Sequence, residues 1–395
     1  MINSILPNIR YNNFSKPSFR GQNGASTFDV KGTQTTAKIY TGNVDYETLG
    51  AIRNMCNHPV FKDVPIRIMP DTHAGKNSVV GFSAPIGPNG KVIPNIVGGD
   101  IGCGMLCVKL DVGDKDIDFA ELDNVIRKYI SSSHTERPKS LEKLPNTFLK
   151  EIKEIENRKF KHQSNNVLAS LGTIGGGNHF IEVDKDEEGS YYLVIHSGSR
   201  LFGKEVADYH QNIANRQNQY TIKDLSYLSG DEAKDYLEDM KLALKFSEYN
   251  RRAIADEIIS RMGWREVSSF ESHHNYISED GMIRKGAICA DEGKELIIPL
   301  NMKDGALLGT GKGNKEWNNT APHGSGRQYK RRDVKNNLTL EEFQKTMKGV
   351  YSTCISPSTL SEAPQAYKPS EEIIENIEDS VKVNKIISPV YNYKD

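Results

Sequence analysis

The stretch VGGDIGCGMLCVKLDV, from Val97 to Val112, joins a glycine-rich turn to a run with β-strand character. Asp100 and Cys103 stand three residues apart near four glycines. Because glycine admits a positive φ and Asp is common in turns, a plain tight turn explains the stretch. A metal-ligand loop explains it equally well, since glycine lets the backbone close around an ion that both side chains could bind. Cys is also a common small core residue, so both interpretations stay open here.

Other short runs with β-strand character surround this stretch. They are separated by Gly, Pro and Asn and comprise TAKIYTG, VPIRIMP, SVVGFSAPI, GKVIPNIV, MLCVKLDV, HFIEVD and YYLVIHSGS. Helical periodicity is concentrated in DFAELDNVIRKYI and from Asp231 to Met262, where Gly263 is a stop signal; a further helix is expected to start at Ser370. We therefore predict an α+β fold, with one compact domain that has a β-rich centre and packed helices.

Length and composition set broad limits. The chain has 395 residues and a formal net charge of −1, so affinity for nucleic acid would have to come from local patches. Five cysteines without paired spacings favour a reducing compartment, and we expect a cytoplasmic protein. No run approaches the ~18 apolar residues of a membrane span, and the N-terminus lacks an apolar signal region. Residues 1–35, rich in Asn, Ser and Gly, are predicted to form a mobile arm before a domain at 36–395.

Most of the ten histidines lie beside glycine or polar residues, in DTHAG, GGGNHF, VIHSGSR, SHHNYI and APHGSGR. A single histidine in a strand is more often a core residue than a ligand. Five in such loops also suggest a metal centre. His179, His196 and His274, gathered with Asp100 and Cys103, would give an ion a mixed N, O and S shell, which suits a first-row transition metal better than Mg²⁺ or Ca²⁺. These ligand types do not distinguish Mn²⁺ from Zn²⁺, and their number would allow two ions to share a bridging thiolate.

Two glycine-rich strings and one basic run complete the candidate features. GTIGGGN (172–178) and GTGKGN (309–314) could cradle phosphate with backbone N–H groups or form simple turns. The run HGSGRQYKRRDVK sets five cations against one acid. Solvated surface charge and contact with a nucleic-acid phosphate backbone both explain this run, whose cations are Arg327, Lys330, Arg331, Arg332 and Lys335.

Eight motifs in fixed order resemble the RtcB family of GTP-dependent RNA-splicing ligases, from about residue 38 to the C-terminus. The motifs are MPDTHAGK, GGDIGCGM, GGGNHFIEV, VIHSGSR, HHNYI, RKGAICA, APHGSGR and EAPQAYK. The resemblance implies that residues 36–395 form an RtcB-like catalytic domain. It also supplies a reaction, which spacing alone does not.

The resemblance implies that His323 attacks the α-phosphorus of GTP and forms a covalent histidine–GMP intermediate. GMP would then pass to an RNA 3′-phosphate, and a 5′-hydroxyl would displace it to seal the strand. An RNA that ends in a 2′,3′-cyclic phosphate would first be opened to the 3′-phosphate. Two Mn²⁺ ions per active site would stabilise the charge that develops on phosphoryl oxygens.

The resemblance also assigns site residues, by their positions in these motifs. The implied metal ligands are Asp100, Cys103, His179, His196 and His274, with Cys103 bridging the two ions. The implied GTP contacts are Asn178, His179, Phe180, Ile181, Glu182, His274, Asn275, Pro299, Leu300, Asn301, Met302, His323, Gly324, Ser325, Gly326 and Lys394. The chain departs from the family pattern where it has PLNM in place of Pro-Gly-Ser-Met and Ala306 in place of a serine, which puts two nucleotide contacts in question.

Two other functions would use some of the same residues as an RNA ligase. A metal-dependent phosphoesterase or cyclic phosphodiesterase acting on RNA ends would use the same ions to activate water, and would need neither His323 nor Lys394. A non-catalytic RNA-end binder would keep the basic run while tolerating loss of the metal ligands. Retention of every ligand favours the ligase, which we expect to act as a monomer on RNA, with an activator protein as a possible partner.

Overall fold

The computed structural model of the protein describes residues 27–75, 78–114, 116–130, 139–160, 167–217 and 223–395. Of the predicted N-terminal arm, residues 1–26 lie outside the described residues. Phe28–Lys31, in contrast, forms a strand that pairs antiparallel with Thr36–Ile39. Phe28 and Val30 pack against the main core, so the folded domain begins before the predicted residue 36.

The described strands are short and are numbered in chain order. They are β1 (Phe28–Lys31), β2 (Thr36–Ile39), β3 (Ile66–Ala74), β4 (Val79–Pro85), β5 (Gly104–Asp111), β6 (Phe180–Lys185), β7 (Tyr191–Ser197), β8 (Arg265–His273), β9 (Asn275–Ile277), β10 (Met282–Lys285), β11 (Ala287–Cys289), β12 (Glu295–Asn301), β13 (Gly305–Gly311), β14 (Thr320–Pro322) and β15 (Val381–Tyr393). Helices stand mainly between β5 and β6 and between β7 and β8. The described α-helices are α1 (Tyr46–Cys56), α2 (Pro94–Val97), α3 (Phe119–Tyr129), α4 (Asn146–Lys159), α5 (Arg200–Gln217), α6 (Gly230–Met262), α7 (Leu340–Thr346) and α8 (Ser370–Asn376).

Two large sheets form the centre of the molecule. A six-stranded sheet has the order β1-β2-β3-β4-β10-β9, and a seven-stranded sheet has the order β12-β13-β15-β6-β7-β5-β8. All neighbouring pairs in these sheets are antiparallel except β2 with β3. The predicted α+β fold with one compact domain is confirmed.

The long helix α6 connects the two halves of the core. Met240 and Phe246 on this helix belong to the apolar cluster beside the six-stranded sheet. Ile254 and Ile258, further along, belong to the cluster beneath the seven-stranded sheet. The helix ends where the sequence predicts, because Gly263 adopts the left-handed conformation (φ +69°) that favours glycine. The predicted helices at α3 and α8 are also present.

One predicted strand is wrong. In GKVIPNIV, Pro94 begins the short helix α2, and only Val92 forms an isolated bridge, with Leu228. Proline lacks the N–H that a strand ladder needs but fits the first turn of a helix, and this preference overrides the apolar run around it. The GTGKGN string proves to be the end of β13 and the turn that follows it.

Buried polar side chains on α6 hold three loops of the molecule together. Arg251 is fully buried and donates hydrogen bonds to the carbonyl oxygens of Gly102 (2.8 Å) and Ser197 (2.7 Å). Asn250 accepts from the backbone N–H of Gly172 and donates to the carbonyl oxygen of Thr173. One helix turn therefore fixes the Asp100–Cys103 turn, the end of β7 and the start of GTIGGGN relative to one another.

We predict that Arg251→Met lowers the free energy of unfolding by about 3–5 kcal/mol, because two buried carbonyl groups and the Glu271 carboxylate lose their partner. Arg252→Met is the matched control, since Arg252 pairs with Asp256 and Glu266 at the half-exposed surface and should cost below about 1 kcal/mol. Urea titration measures both changes. Equal, small losses in the two variants would contradict this role of Arg251.

Candidate metal centre and nucleotide cavity

The register of the seven-stranded sheet gathers the predicted ligands at one end. Gly104, at the start of β5, pairs with Ser197 on β7 and with His273 on β8. Phe180, the first residue of β6, pairs with His196. Cys103, His179, His196 and His274 each lie at or next to one of these paired positions, so the ligands converge although they come from four separate segments.

The reactive atoms of this cluster are in mutual contact. Cys103 Sγ lies 3.4 Å from His179 Nε2 and 3.2 Å from His196 Nε2. His196 Nε2 lies 3.4 Å from His274 Nε2, and His179 Nε2 lies 3.2 Å from Asp100 Oδ2. All five predicted metal ligands are thus brought together, with Cys103 central among them.

The remaining ring nitrogens show that the cluster fits a metal ion. His179 Nδ1 lies 3.0 Å from the carbonyl oxygen of Ile174, and His196 Nδ1 lies 3.1 Å from that of Asn178. A carbonyl oxygen only accepts, so Nδ1 of His196 carries the proton and its Nε2 presents a lone pair to the cluster. Nε2 of His179 faces Cys103 and Asp100. Carbonyl groups that hold Nδ1 in this way orient metal-binding histidines, and the imidazole, thiol and carboxylate groups that converge here are the donor types that bind a transition-metal ion.

Burial sets the protonation of the ligands. It lowers the pKa of His196 and His274 well below the usual value, so both rings are neutral near pH 7. It raises the pKa of the Cys103 thiol, an effect that a bound cation would reverse by coordinating the thiolate. Burial also opposes ionisation of Asp100, but the interactions of its carboxyl with His179 and Cys103 outweigh this effect, and the pKa of Asp100 is lowered.

Close packing fixes Asp100 at the edge of this cluster. A Cβ atom at Gly198 would lie 2.1 Å from Asp100 Oδ1 and 3.4 Å from the Cys103 Cα. A larger residue at position 198 would therefore displace the Asp100 carboxylate from the cluster. The stretch forms a tight turn, closed by a hydrogen bond from the Cys103 N–H to the Asp100 carbonyl oxygen, with Gly102 at φ +69°. The same turn places both side chains in the cluster, where a metal-ligand loop would need them.

A further histidine stands beside the cluster. The ring centre of His323 lies 4.8 Å from that of His274. His323 Nδ1 lies 2.6 Å from Asp71 Oδ2, and the same oxygen accepts the backbone N–H of His323 at 3.2 Å. Asp71 is fully buried, and its other oxygen has no hydrogen-bond partner among the described residues. The carboxylate holds Nδ1 and leaves Nε2 of His323 as the free nitrogen.

The cluster and His323 open into one cavity of about 300 Å³. Most of the predicted site residues line it: Asp100, Cys103, Asn178, Phe180, Glu182, His196, His274, Asn275, Pro299, Leu300, Asn301, Met302, His323, Gly324, Ser325, Gly326 and Lys394. His179 lies behind Cys103, within the cluster. Ile181 does not line the cavity: it is fully buried in the core beneath the sheet, because side chains alternate along β6 between Phe180 and Glu182.

Charged side chains are paired along the far wall of the cavity. Lys394 Nζ lies 3.2 Å from Glu362 Oε2 and 5.4 Å from the ring centre of Phe180. Glu362 also pairs with Arg327 and Arg331. Burial opposes ionisation of Glu362, but Lys394 and the two arginines lower the pKa of its carboxyl to about 2. Burial raises the pKa of Glu182 on β6, an effect that Lys394 and a hydrogen bond from Asn392 oppose.

Sequence reasoning missed several residues of this site. Asp71 and Glu362 lie in the quoted motifs MPDTHAGK and EAPQAYK, but no spacing pairs Asp71 with a histidine 252 residues away. Lys285 lines the cavity, from the motif RKGAICA. Arg200 approaches His179 Nδ1 at 3.2 Å from a backbone with φ +54°, a strained conformation for a side chain of its size.

A second cluster of metal-binding side chain types lies apart from the cavity. His210 Nε2 lies 2.6 Å from Asp239 Oδ2, and Asp235 is close by. The ammonium group of Lys159 contacts both carboxylates at 2.6–2.7 Å. Lys159 thus already supplies the positive charge that a metal ion would bring, and this cluster is an ion-pair network between α4, α5 and α6.

Comparison with known proteins agrees with these features. A family model described as tRNA-splicing ligase RtcB matches residues 51–166 and 149–395. RNA-splicing ligase RtcB of Escherichia coli K12 is 30% identical over 364 residues, covering 82% of this chain and 88% of that protein. tRNA-splicing ligase RtcB of Aeropyrum pernix is 26% identical over 412 residues, covering 81% and 85%. That of Methanococcus maripaludis is 26% identical over 440 residues, covering 89% and 92%.

The protein is therefore an enzyme of the RNA ligase class. More particularly, the chain belongs to the RtcB family of RNA-splicing ligases. Within the described residues, no helix combines the length and the apolar composition needed to cross a membrane.

We predict that Cys103→Ala loses bound transition metal, because Cys103 Sγ is the atom that contacts two of the three histidines. Cys107→Ala is the matched control: this thiol is equally buried on β5 but lines a separate cavity. Elemental analysis after dialysis, with circular dichroism to check folding, measures the effect. Full metal occupancy in a folded Cys103→Ala protein would remove Cys103 from the ligand set.

Proposed function

We propose that this RNA ligase joins RNA 3′-phosphate or 2′,3′-cyclic phosphate ends to 5′-hydroxyl ends, using GTP, two Mn²⁺ ions and a covalent intermediate on His323. The observation that carries the proposal is the contact between the His323 ring and the His274 ring at the edge of the cysteine–histidine cluster. A nucleotide in the shared cavity would meet a nucleophilic nitrogen and a charge-stabilising centre together.

His323 is suited to nucleophilic attack. The hydrogen bond from Nδ1 to the buried Asp71 carboxylate fixes the tautomer in which Nε2 carries the lone pair. Asp71 also stabilises the positive charge that the ring gains as Nε2 forms a bond to phosphorus. The pair therefore supports a role for His323 as nucleophile and for Asp71 as a positioning residue.

The proposed steps balance as phosphoryl transfers. Nε2 of His323 bonds to the α-phosphorus of GTP, the bond from that phosphorus to the β-phosphate oxygen breaks, and pyrophosphate leaves. An RNA 3′-phosphate oxygen then takes the GMP from the histidine. Finally the 5′-hydroxyl oxygen attacks the RNA 3′-phosphorus, loses its proton and displaces GMP. A cyclic phosphate first adds water, which breaks the bond to the 2′-oxygen.

Asp100, Cys103, His179, His196 and His274 would hold the ions. Bound Mn²⁺ supplies Lewis-acid stabilisation of negative charge on phosphoryl oxygens. The central position of Cys103 Sγ, in contact with His179 and His196, supports its assignment as the ligand shared by both ions. The mixed donor set with neutral imidazoles supports a transition metal over Mg²⁺.

Glu182 and Lys394 support a preference for guanine. A carboxylate accepts hydrogen bonds from the N1–H and the amino group of guanine, and an ammonium group donates to its O6; adenine lacks that pattern. Both side chains line the cavity, and the Lys394 ammonium group lies 5.4 Å from the ring centre of Phe180. In the PLNM segment, the carbonyl oxygen of Leu300 accepts a hydrogen bond from Ser325, which holds the segment at the cavity. Ala306 is buried away from the cavity.

We predict that His323→Ala abolishes the protein–GMP adduct while metal content stays near that of the unchanged protein, because His323 is not among the proposed ligands. Incubation with α-labelled GTP and Mn²⁺ should give an acid-labile, base-stable adduct only when His323 is present. His273→Gln is the control, since His273 faces Glu248 and Glu271 and not the cavity. A labelled His323→Ala protein would place the nucleophile elsewhere. If the unchanged protein is not labelled but hydrolyses phosphate at RNA ends, a metal-dependent phosphoesterase or cyclic phosphodiesterase is favoured.

We predict that Asp71→Asn slows adduct formation by about 10²-fold or more while the Kd for GTP changes little, because the uncharged amide no longer stabilises the charged ring. Single-turnover labelling gives the rate, and titration with GTP gives the affinity. Asp208→Asn, which removes an exposed partner of Lys204, serves as control. A loss confined to GTP affinity would show that Asp71 does not act through His323.

A further inference from the structure

The cations of the basic run HGSGRQYKRRDVK fall into two groups in the structure. Arg327 and Arg331 both pair with the buried Glu362, and Lys330 pairs with Glu47 on α1. These three cations are held by acids of the protein itself. Arg332 has only the exposed Asp333 at 3.5 Å, and among the described residues Lys335 forms no ion pair.

These two cations border a surface pocket of about 380 Å³. Arg332 and Lys335 lie on a 3₁₀ helix, Arg331–Asn336, and the opposite wall is formed by Pro357, Ser358 and Ser361. The walls are fixed relative to each other because Val334 and Leu360 pack in one apolar cluster beneath the pocket. The pocket therefore presents positive charge together with serine hydroxyl groups, and the described residues that line it include no acid.

The pocket adjoins the nucleotide cavity. Arg331 lines both of them, so the two spaces adjoin at this side chain. An RNA whose end lies at His323 has further phosphates along the same strand, one for each nucleotide. A strand leaving the cavity past Arg331 would bring one of these phosphates to Arg332 and Lys335.

We propose that the pocket of Arg332, Lys335, Ser358 and Ser361 binds a backbone phosphate of the RNA, one or more nucleotides from the end that is joined. This inference rests on the proposed joining of RNA ends in the neighbouring cavity. Both cations would contact phosphate oxygens, and the serine hydroxyl groups would donate hydrogen bonds to them. Such contacts position a strand without reading its sequence, so the site favours longer RNA ends over short ones, whatever their sequence.

The test compares the double variant Arg332→Ala/Lys335→Ala with Lys150→Ala/Lys234→Ala. The control removes two lysines of similar exposure whose ion pairs are also on the surface, and which line neither the cavity nor the pocket. Dissociation constants are measured by fluorescence anisotropy for a single-stranded RNA of about twelve nucleotides with a 3′-phosphate, over a range of salt concentrations. Thermal melting checks that both variants fold.

The pocket variant should bind this RNA on the order of tenfold more weakly, and the slope of log K against log salt should fall in magnitude by about 0.7, as for one lost phosphate contact on a single strand. With a nucleoside 3′-phosphate, which has no backbone phosphate beyond its own end, the variant should match the unchanged protein. Equal losses in variant and control, or an equal loss on the nucleoside 3′-phosphate, would overturn the inference.

Labelling with GTP alone separates this inference from the proposed function. No RNA is needed for the adduct on His323, so the pocket variant should label at the rate of the unchanged protein. If the unchanged protein fails to label, the proposed function is wrong, and the RNA-binding comparison still decides the role of the pocket. If labelling is normal and RNA affinity is unaltered, only the pocket assignment is lost.

Discussion

The register between β5 and its neighbours β7 and β8 is the constraint on which the site depends. A shift of one residue on any of these strands would turn the ligand side chains to the opposite face of the sheet. Arg251 and Asn250, on one turn of α6, hold this register at the end of the sheet where the ligands lie. They bind the turn before β5, the end of β7 and the loop before β6. The helix that joins the two halves of the core thus also sets the distances within the cysteine–histidine cluster.

In the site, acidic side chains lie next to the histidine, lysine and arginine side chains that they position. Asp71 holds His323, Glu362 holds Lys394 and two arginines, and Asp100 contacts His179. Each carboxylate holds in place the side chains that it contacts. Arg332 and Lys335 lie outside this network, and they border the pocket that we propose binds an RNA phosphate.

Local signals in the sequence were sufficient for much of the fold. The apolar periodicity and the glycine stop of α6, and the glycine-separated runs that became β3 to β7, depend on neighbours in the chain and appear as predicted. The prediction for GKVIPNIV is wrong because Pro94 outweighs the apolar run. The proposed ligands were identified by residue type and by family resemblance, whereas their convergence depends on strand pairing between distant segments. Asp71, Glu362 and the pairing of Lys330 with Glu47 depend on contacts that no local pattern contains. The direction of the Ile181 side chain, in contrast, follows from strand alternation once β6 is placed between Phe180 and Glu182.

The central claim is that the lone pairs of the histidines and the thiolate of Cys103 meet at metal ions within reach of His323. Anomalous diffraction at the manganese edge, from crystals grown with Mn²⁺ and a GTP analogue that resists cleavage between the α- and β-phosphates, tests it most directly. We expect two manganese peaks that both contact Cys103 Sγ, with the α-phosphorus of the nucleotide facing His323 Nε2. Manganese peaks away from Asp100, Cys103 and the three histidines, or a nucleotide bound outside this cavity, would contradict it.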